Sequence, residues 1–533
     1  MKNYAQITRN SSQREPIFGR ESEMTQNNAG GYTFTLSPLD TLRRFLILGS
    51  EGGTYYVDER TLTKDNAKNA LEVLESQPEQ ALNLVIEVSQ KGLAPKNDPA
   101  IFALALGASC RNAWTRRLAL QALPLVCRTG THILQFVSMV NELRGWGRGL
   151  RTGIGKWYTE KKVEDLAYQV MKYGNRAGFT HRDVLRLTHA YGGEVSTARG
   201  ALFRAIAHPE FSVGDFPELE AFKMAKSLND STPVAKVIDA IKTYNLPREV
   251  IPTKFLNEPK VWEALFDCMP FTAMIRNLGK MTSIGVISPM SDTARAVVTR
   301  LNDVAQIERS RIHPIMLLNA LNTYSSGHGF KGSLRWNPEP NIVRALEEAF
   351  YLSFGTVEPS GKNTLLALDV SDSMGASTIS GLNDMRASEA AAVMAMVTAR
   401  RESSHLIRGF STEFKDLGIT SNMSLSEVCN ITRRQAFGRT DCAIPMIWAT
   451  KERVPVDTFI VYTDNETWAG QVHPAEALKN YRQKMGIGAK LVVVGMTSTG
   501  FTIADPQDAG MLDVVGFDAT APNVITEFSK GAV

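Results

Sequence analysis

The hydrophobic pattern of this 533-residue chain changes period once, near Glu358-Pro359-Ser360-Gly361, and that change limits it to a two-part fold. From about Ser37 to Phe354 apolar residues recur every three or four positions, as in Asn66–Glu75, Glu79–Val88, Trp114–Val126, Val163–Tyr173 and Val234–Tyr244. That is the spacing of one helix face. Pro78, Gly92, Pro95, Gly130 and Pro247 punctuate these runs, which predicts short-linked helices stacked in pairs as an α-solenoid, although no strict sequence period repeats. Beyond the break, Asn363–Val370 reads as a buried strand, followed by a helix over Ser388–Arg401 and a strand over His405–Phe410. Helices near Ser424–Ile431 and Cys442–Thr450, strand Asp457–Thr463, helix Pro474–Met485, strands Lys490–Gly495 and Met511–Phe517, and a helix near Pro522–Lys530 complete the series. Strands alternating with helices predict a largely parallel, doubly wound sheet that binds ligands at the carboxyl ends of its strands.

The first of those ends carries Asp369-Val370-Ser371-Asp372-Ser373. One carboxylate and two hydroxyls on a tight loop are hard oxygen donors suited to Mg²⁺, with Mn²⁺ and Ca²⁺ as alternatives. Thr440, in a glycine-containing loop that opens a helix, and Asp464, directly after a strand, supply two further donors at the same edge. Asp369, Ser371, Ser373, Thr440 and Asp464 together resemble the metal-ion-dependent adhesion site of von Willebrand factor A-type domains. That resemblance implies an ion held by hydroxyls, with one position open to an acidic group from a partner. Asp372 adds a negative charge inside the loop and departs from the pattern. A phosphatase Asp-x-Asp is excluded because Ser371 stands two positions after Asp369. No G-x-S-x-G elbow and no phosphate-binding G-x-x-x-x-G-K-[ST] occurs, and two carboxylates are too few for a two-metal nuclease. The site reads as one for binding, not catalysis.

Five scattered cysteines, Cys110, Cys127, Cys268, Cys429 and Cys442, form neither a zinc pattern nor a redox pair, and read as reduced buried thiols. Residues 1–31 are rich in Ser, Asn, Gln and Gly, lack the apolar core of a secretory signal, and read as a disordered tail. No apolar run approaches the ~20 residues needed to span a bilayer. A cytoplasmic protein without a membrane partner is the expectation.

The formal charge of +4 hides an asymmetry. Residues 362–533 hold 16 basic and 19 acidic side chains, whereas residues 139–204 alone hold 12 basic and 6 acidic. Such a basic block points to an anionic partner, with nucleic acid first. Arg182, Arg186 and His189 fall on one face of a helix begun near Thr180, and Lys172 and Arg176 are one turn apart. Trp157, Tyr158, Tyr173 and Phe179 are either stacking platforms for bases or packing between helices, and His181 flanks the helix start.

Several longer segments resemble the Ro autoantigen family, and its bacterial members in particular. They are Gly49-Ser50-Glu51-Gly52-Gly53-Thr54-Tyr55-Tyr56, Lys172–His189, Met269–Met281, Arg311-Ile312-His313-Pro314 and Gly500–Pro506. The resemblance covers nearly everything after residue 32. It implies a TROVE domain of HEAT-like helical repeats closed into a ring over residues 32–361, with an A-type domain over 362–533 tying the ends together. It further implies a non-enzymatic, monomeric protein that binds small non-coding Y RNA on its outer face and takes single-stranded ends of misfolded or structured RNA into its hole. Lys172, Arg176 and His189 match the Y RNA surface, Arg182 and Arg186 adjoin it, and Arg148, Arg151 and Arg276 match basic positions shared between rim and hole. Gly174 stands where related proteins often carry a basic residue. In bacterial members the implied partner is an exoribonuclease such as polynucleotide phosphorylase, acting in RNA maturation and decay. The competing expectation is a metal-dependent protein-interaction scaffold in which the helices only support the adhesion-type site.

Overall fold

The computed structural model describes residues 10–48, 59–329, 333–355, 357–377, 385–435, 438–518 and 520–531. It has the two parts that the change of period predicts. Helices run from Pro38–Leu48 to Pro340–Leu352, and neighbours such as Asp98–Ser109 and Ala113–Val126 pack as antiparallel pairs. Their starts are set by side chains that accept orphan backbone N–H groups: Asn112 from Trp114, Thr129 from His132, Ser291 from Ala294. The segment 49–56 lies outside the described residues.

The C-terminal part is a six-stranded sheet in the order Met511–Val515, Lys490–Gly495, Thr458–Thr463, Thr364–Asp369, His405–Phe410, Phe414–Asp416. All neighbours are parallel except the last, an antiparallel edge strand that the hydrophobic pattern did not reveal. Every residue of Thr364–Asp369 and Thr458–Thr463 is buried, as befits central strands covered on both faces. The Ala-rich helix Ala387–Ala399, buried throughout, covers one face.

The joints between the parts are unequal. One apolar core runs without interruption from Leu228 through Phe350 and Phe354 into Leu366, Val393 and Val494, so the later helices and one sheet face share a single interior. The earlier helices have their own core, which reaches the C-terminal part at Val515, and are held there chiefly by polar contacts. Arg44, fully buried, donates to both carboxylate oxygens of Asp513 (2.5 and 2.7 Å) and to Thr499 Oγ1 and Phe501 O. Arg43 bonds Asp518 at 2.8 Å. His313 Nε2 donates to Leu93 O, 220 positions away in sequence, and so joins the late helices to the early ones. Both ends of the helical arc thus meet the sheet domain, and the ring closes within one chain.

The tail expectation over 1–31 is corrected for the described residues 10–31, which are ordered on the C-terminal domain. Met24–Gln26 pairs with Tyr32–Thr35, which in turn pairs with Phe501–Thr502. Gln13 is fully buried: its Nε2 donates to Asp441 Oδ1 and Val472 O, and its Oε1 accepts from Thr467 Oγ1 and Gly470 N. Asn27 donates to Thr467 O (2.8 Å) and accepts from Gly31 N. Polar composition reads as disorder, yet these amides act as surrogate backbone for loops that lack strand partners. Gly31 is required here, since a Cβ would lie 2.0 Å from Thr467 O.

Candidate functional site

The residues singled out by the sequence fall into two groups. At the carboxyl edge of the sheet, Asp369, Ser371, Ser373, Thr440 and Asp464 all have no exposed surface. Asp369 Oδ1 accepts from Ser371 N (2.9 Å) and Oδ2 from Thr463 Oγ1 (2.6 Å). Ser371 Oγ and Ser373 Oγ are 3.2 Å apart, and Asp464 Oδ1 accepts from Glu466 N (3.0 Å). Asp372 N donates to Gly438 O, setting the Thr440 loop beside the Ser371 loop. Asp372 itself turns to solvent, because it is the first residue of the short helix Asp372–Ala376.

Burial, and then the charge of Asp464, push the Asp369 carboxyl up to about 7. Burial likewise raises Asp464. Thr440 Oγ1 and Asp464 Oδ2 are buried with no hydrogen-bond partner. Two mutually repelling carboxylates, two orphaned oxygens and neighbouring hydroxyls form a donor set that fits a hard divalent cation. Among the described residues no three His, Cys, Asp or Glu side chains converge on one point, so hydroxyls make up the rest of that set. Sequence reasoning missed the support from the N-terminal segment: Asn28 Nδ2 and Ala29 N donate to Glu466, two residues beyond Asp464.

The second group lies on the early helices. Lys172 ends the helix Val163–Lys172, and Arg176 lies on a small hairpin, Asn175–Arg176 with Phe179–Thr180. Thr180 caps the helix His181–Thr188 in a reciprocal box with Asp183, which fixes the direction of Arg182 and Arg186. His189 follows in a left-handed conformation (φ 53°). Arg176, Arg186 and His189 are exposed, whereas Arg182 is half-buried. Lys172 sits against Tyr168 and Tyr173, which with Glu249 outweigh its burial and keep it charged. Arg148 and Arg151 are exposed at the start of Arg148–Thr159.

Trp157 and Tyr158 are packing residues. Trp157 Nε1 donates to Cys127 O, and Tyr158 Oη donates to His181 Nδ1 (2.8 Å), whose Nε2 donates to Tyr173 O. Burial pushes His181 down to about 4, so it is a neutral core histidine. Tyr191 (70% exposed), shortly after His189, is an exposed aromatic that the charge pattern did not single out.

Arg276 stands on a different helix, Phe271–Ser283. It lines a cavity of about 700 Å³ with Arg248, Lys280 and Arg311, beside Trp336 and Trp262. No Asp or Glu is among its described lining residues. All five cysteines are free thiols, four of them buried. Among the described residues no helix is long and apolar enough to cross a membrane.

A family model described as the TROVE domain matches residues 25–325, and one described as the Ro60 vWA domain matches residues 363–529. The chain belongs to the Ro family. RNA-binding protein RO60 of Deinococcus radiodurans is 41% identical over 515 residues, covering 96% of each chain. RNA-binding protein RO60 of Caenorhabditis elegans is 37% identical over 586 residues, covering 95% of this chain and 90% of that one. The crystal structure of the Deinococcus radiodurans Ro (RSR) protein aligns with a TM-score of 0.69 at 41% identity, over 93% of this chain and all of that one. Both Ro domains are thus present in this chain.

Proposed function

We propose that this Ro-family chain is a non-catalytic RNA-binding ring, which holds small structured RNAs of the Y RNA class on its outer basic face and single-stranded RNA ends in its cavity. The observation that carries this reading is the cavity lined by Arg248, Arg276, Lys280 and Arg311 with no described carboxylate in its wall. Cations supply affinity for phosphate. The outer face, with Lys172, Arg176, Arg182, Arg186 and His189, and with Arg148 and Arg151 nearby, suits the backbone of a paired stem. The names of the relatives support RNA as the ligand.

The adhesion-type site, in this reading, holds Mg²⁺ as a structural ion. Its five side chains have no exposed surface, which counts against the rival reading of a scaffold that grips a partner's carboxylate there. Among the described residues no cluster of three His, Cys, Asp or Glu side chains could hold a catalytic metal pair, so in this reading RNA maturation or decay would use a separate 3′–5′ exoribonuclease, of which polynucleotide phosphorylase is an example. A ring closed within one chain supports a monomer.

The test is RNA affinity titrated against salt, with paired and single-stranded probes. Substituting Lys172, Arg176 and His189 with Ala should weaken stem binding and reduce the slope of log K against log salt by about 0.9 for each phosphate that the variant no longer neutralises. A flat salt response, or equal affinity for an acidic polypeptide, overturns the reading.

A further inference from the structure

Next to the metal site, three segments distant in sequence build a patch that the RNA reading does not use. Arg14 and Arg439 both lie over the indole of Trp468, with guanidinium carbons 4.9 and 5.1 Å from the ring centre. Rigid neighbours hold all three. Gln13, adjoining Arg14, is buried and bonded to Asp441, Thr467, Gly470 and Val472. Thr440, adjoining Arg439, accepts at its carbonyl from the backbone N–H groups of Trp468 and Ala469. Both arginines are exposed, and among the described residues neither has an acidic partner. Trp468 Nε1 is shielded from solvent and lacks an acceptor. Phe18, on the same N-terminal segment as Arg14, is 93% exposed.

A π face attracts each cation, but two guanidinium groups on one ring repel each other, and an anion that meets both relieves the repulsion. The surroundings select the kind of anion. Residues 362–533 hold 16 basic against 19 acidic side chains, and Glu15 stands exposed beside Arg14. A polyanion such as RNA is repelled by that field, whereas a few carboxylates on a short segment fit the planar guanidinium forks. Arginine with exposed aromatics is also the composition of protein–protein hot spots. We propose that Arg14, Arg439 and Trp468 form a docking site for an acidic segment of a partner protein. The arginines hold its carboxylates, and Phe18 offers an apolar contact. The grip lies on the surface and does not involve the buried metal donors.

Fluorescence anisotropy with the full chain tests it, using a labelled peptide Glu-Asp-Leu-Phe-Asp-Glu and its uncharged counterpart Gln-Asn-Leu-Phe-Asn-Gln. The wild type should bind the acidic peptide about tenfold more tightly, the scale of one hydrogen bond to a charged group. Arg14→Ala with Arg439→Ala should erase that difference, while melting temperature and affinity for a paired RNA stem stay at wild-type values. Arg14→Lys with Arg439→Lys keeps the charge without the fork and should restore only part of it. Equal wild-type affinity for the two peptides overturns the proposal. So does loss of binding when divalent ions are chelated, which assigns the carboxylates to the ion. A fall in RNA affinity in the double alanine variant assigns the arginines to RNA and overturns it as well. A flat salt response of RNA binding, with the peptide difference intact, removes the RNA reading and leaves this surface standing.

Discussion

Arg44 and Asp513 are 469 positions apart, yet the guanidinium of the first, with no exposed surface, lies 2.5 and 2.7 Å from the two carboxylate oxygens of the second. The pair joins the first helix of the ring to the edge strand of the sheet. Removing one partner leaves the other charge buried, a loss of about 3–5 kcal/mol. Arg44→Met should therefore lower the denaturant midpoint sharply, and Arg44→Met with Asp513→Leu should recover part of the loss. Equal midpoints for wild type and the single variant would show that the joint carries no load.

Gly31 offers a separate probe of the N-terminal segment. The collision of a Cβ with Thr467 O makes Gly31→Ala costly by about 1–3 kcal/mol at that point. Because the segment is held by Gln13 and Asn27, the expected result is faster hydrogen exchange and earlier proteolysis within residues 10–31, with the ring helices unaffected. Protection identical to wild type would place the strain elsewhere.

Acid should loosen the helical part. Burial pushes His132, His181 and His313 down to about 4 from an ordinary 6.5. The unfolded chain then binds protons first, so stability is fully present above pH 6.5 and is lost as pH falls towards 4, by up to about 1.4 kcal/mol per pH unit for each group. Melting temperature measured between pH 7.5 and 4.5 should fall accordingly, and His313→Gln should flatten the curve. A profile unchanged by that substitution would contradict a neutral buried His313.

Mg²⁺ should raise the melting temperature of the wild type, since an ion that binds only the folded state stabilises it. Asp464→Ala should abolish the rise, while leaving RNA affinity in the presence of Mg²⁺ within about twofold if the ion is structural and local. No Mg²⁺ response in the wild type would remove the metal from this site.

Arg276→Ala should weaken binding of a single-stranded RNA without changing that of a paired stem, because Arg276 lines the cavity and not the outer face. Fluorescence anisotropy with the two probes separates the cases, and equal weakening on both would merge the two sites into one.

Legibility in the sequence followed the range of the interactions. The alternation after Gly361 was legible almost residue by residue: helix Pro474–Met485 and strands His405–Phe410 and Lys490–Gly495 have the ends expected from period and breakers. That Asp369 and Asp464 lie at one edge of the sheet was legible too, because each stands at the end of a recognisable strand. What failed was anything settled by partners far away in the chain. Gln13 and Asn27 look like tail residues until the loops at 465–472 supply their partners. Trp157 looks like a stacking platform until Cys127 O takes its N–H. The basic cavity gathers Arg248, Arg276 and Arg311 from three segments, none of which is conspicuous alone.

The unequal joints of the ring have a mechanical consequence. Where the later helices share one apolar interior with the sheet, the junction is a weld, broken only by unfolding both parts. Where the earlier helices meet it through the ion pairs of Arg43 and Arg44, the junction is a clasp that rests on a few side chains. A ring with one weld and one clasp opens on a fixed side, like a bracelet. Hydrogen exchange under mild destabilisation should therefore rise first in the helix Pro38–Leu48 and last around Phe350.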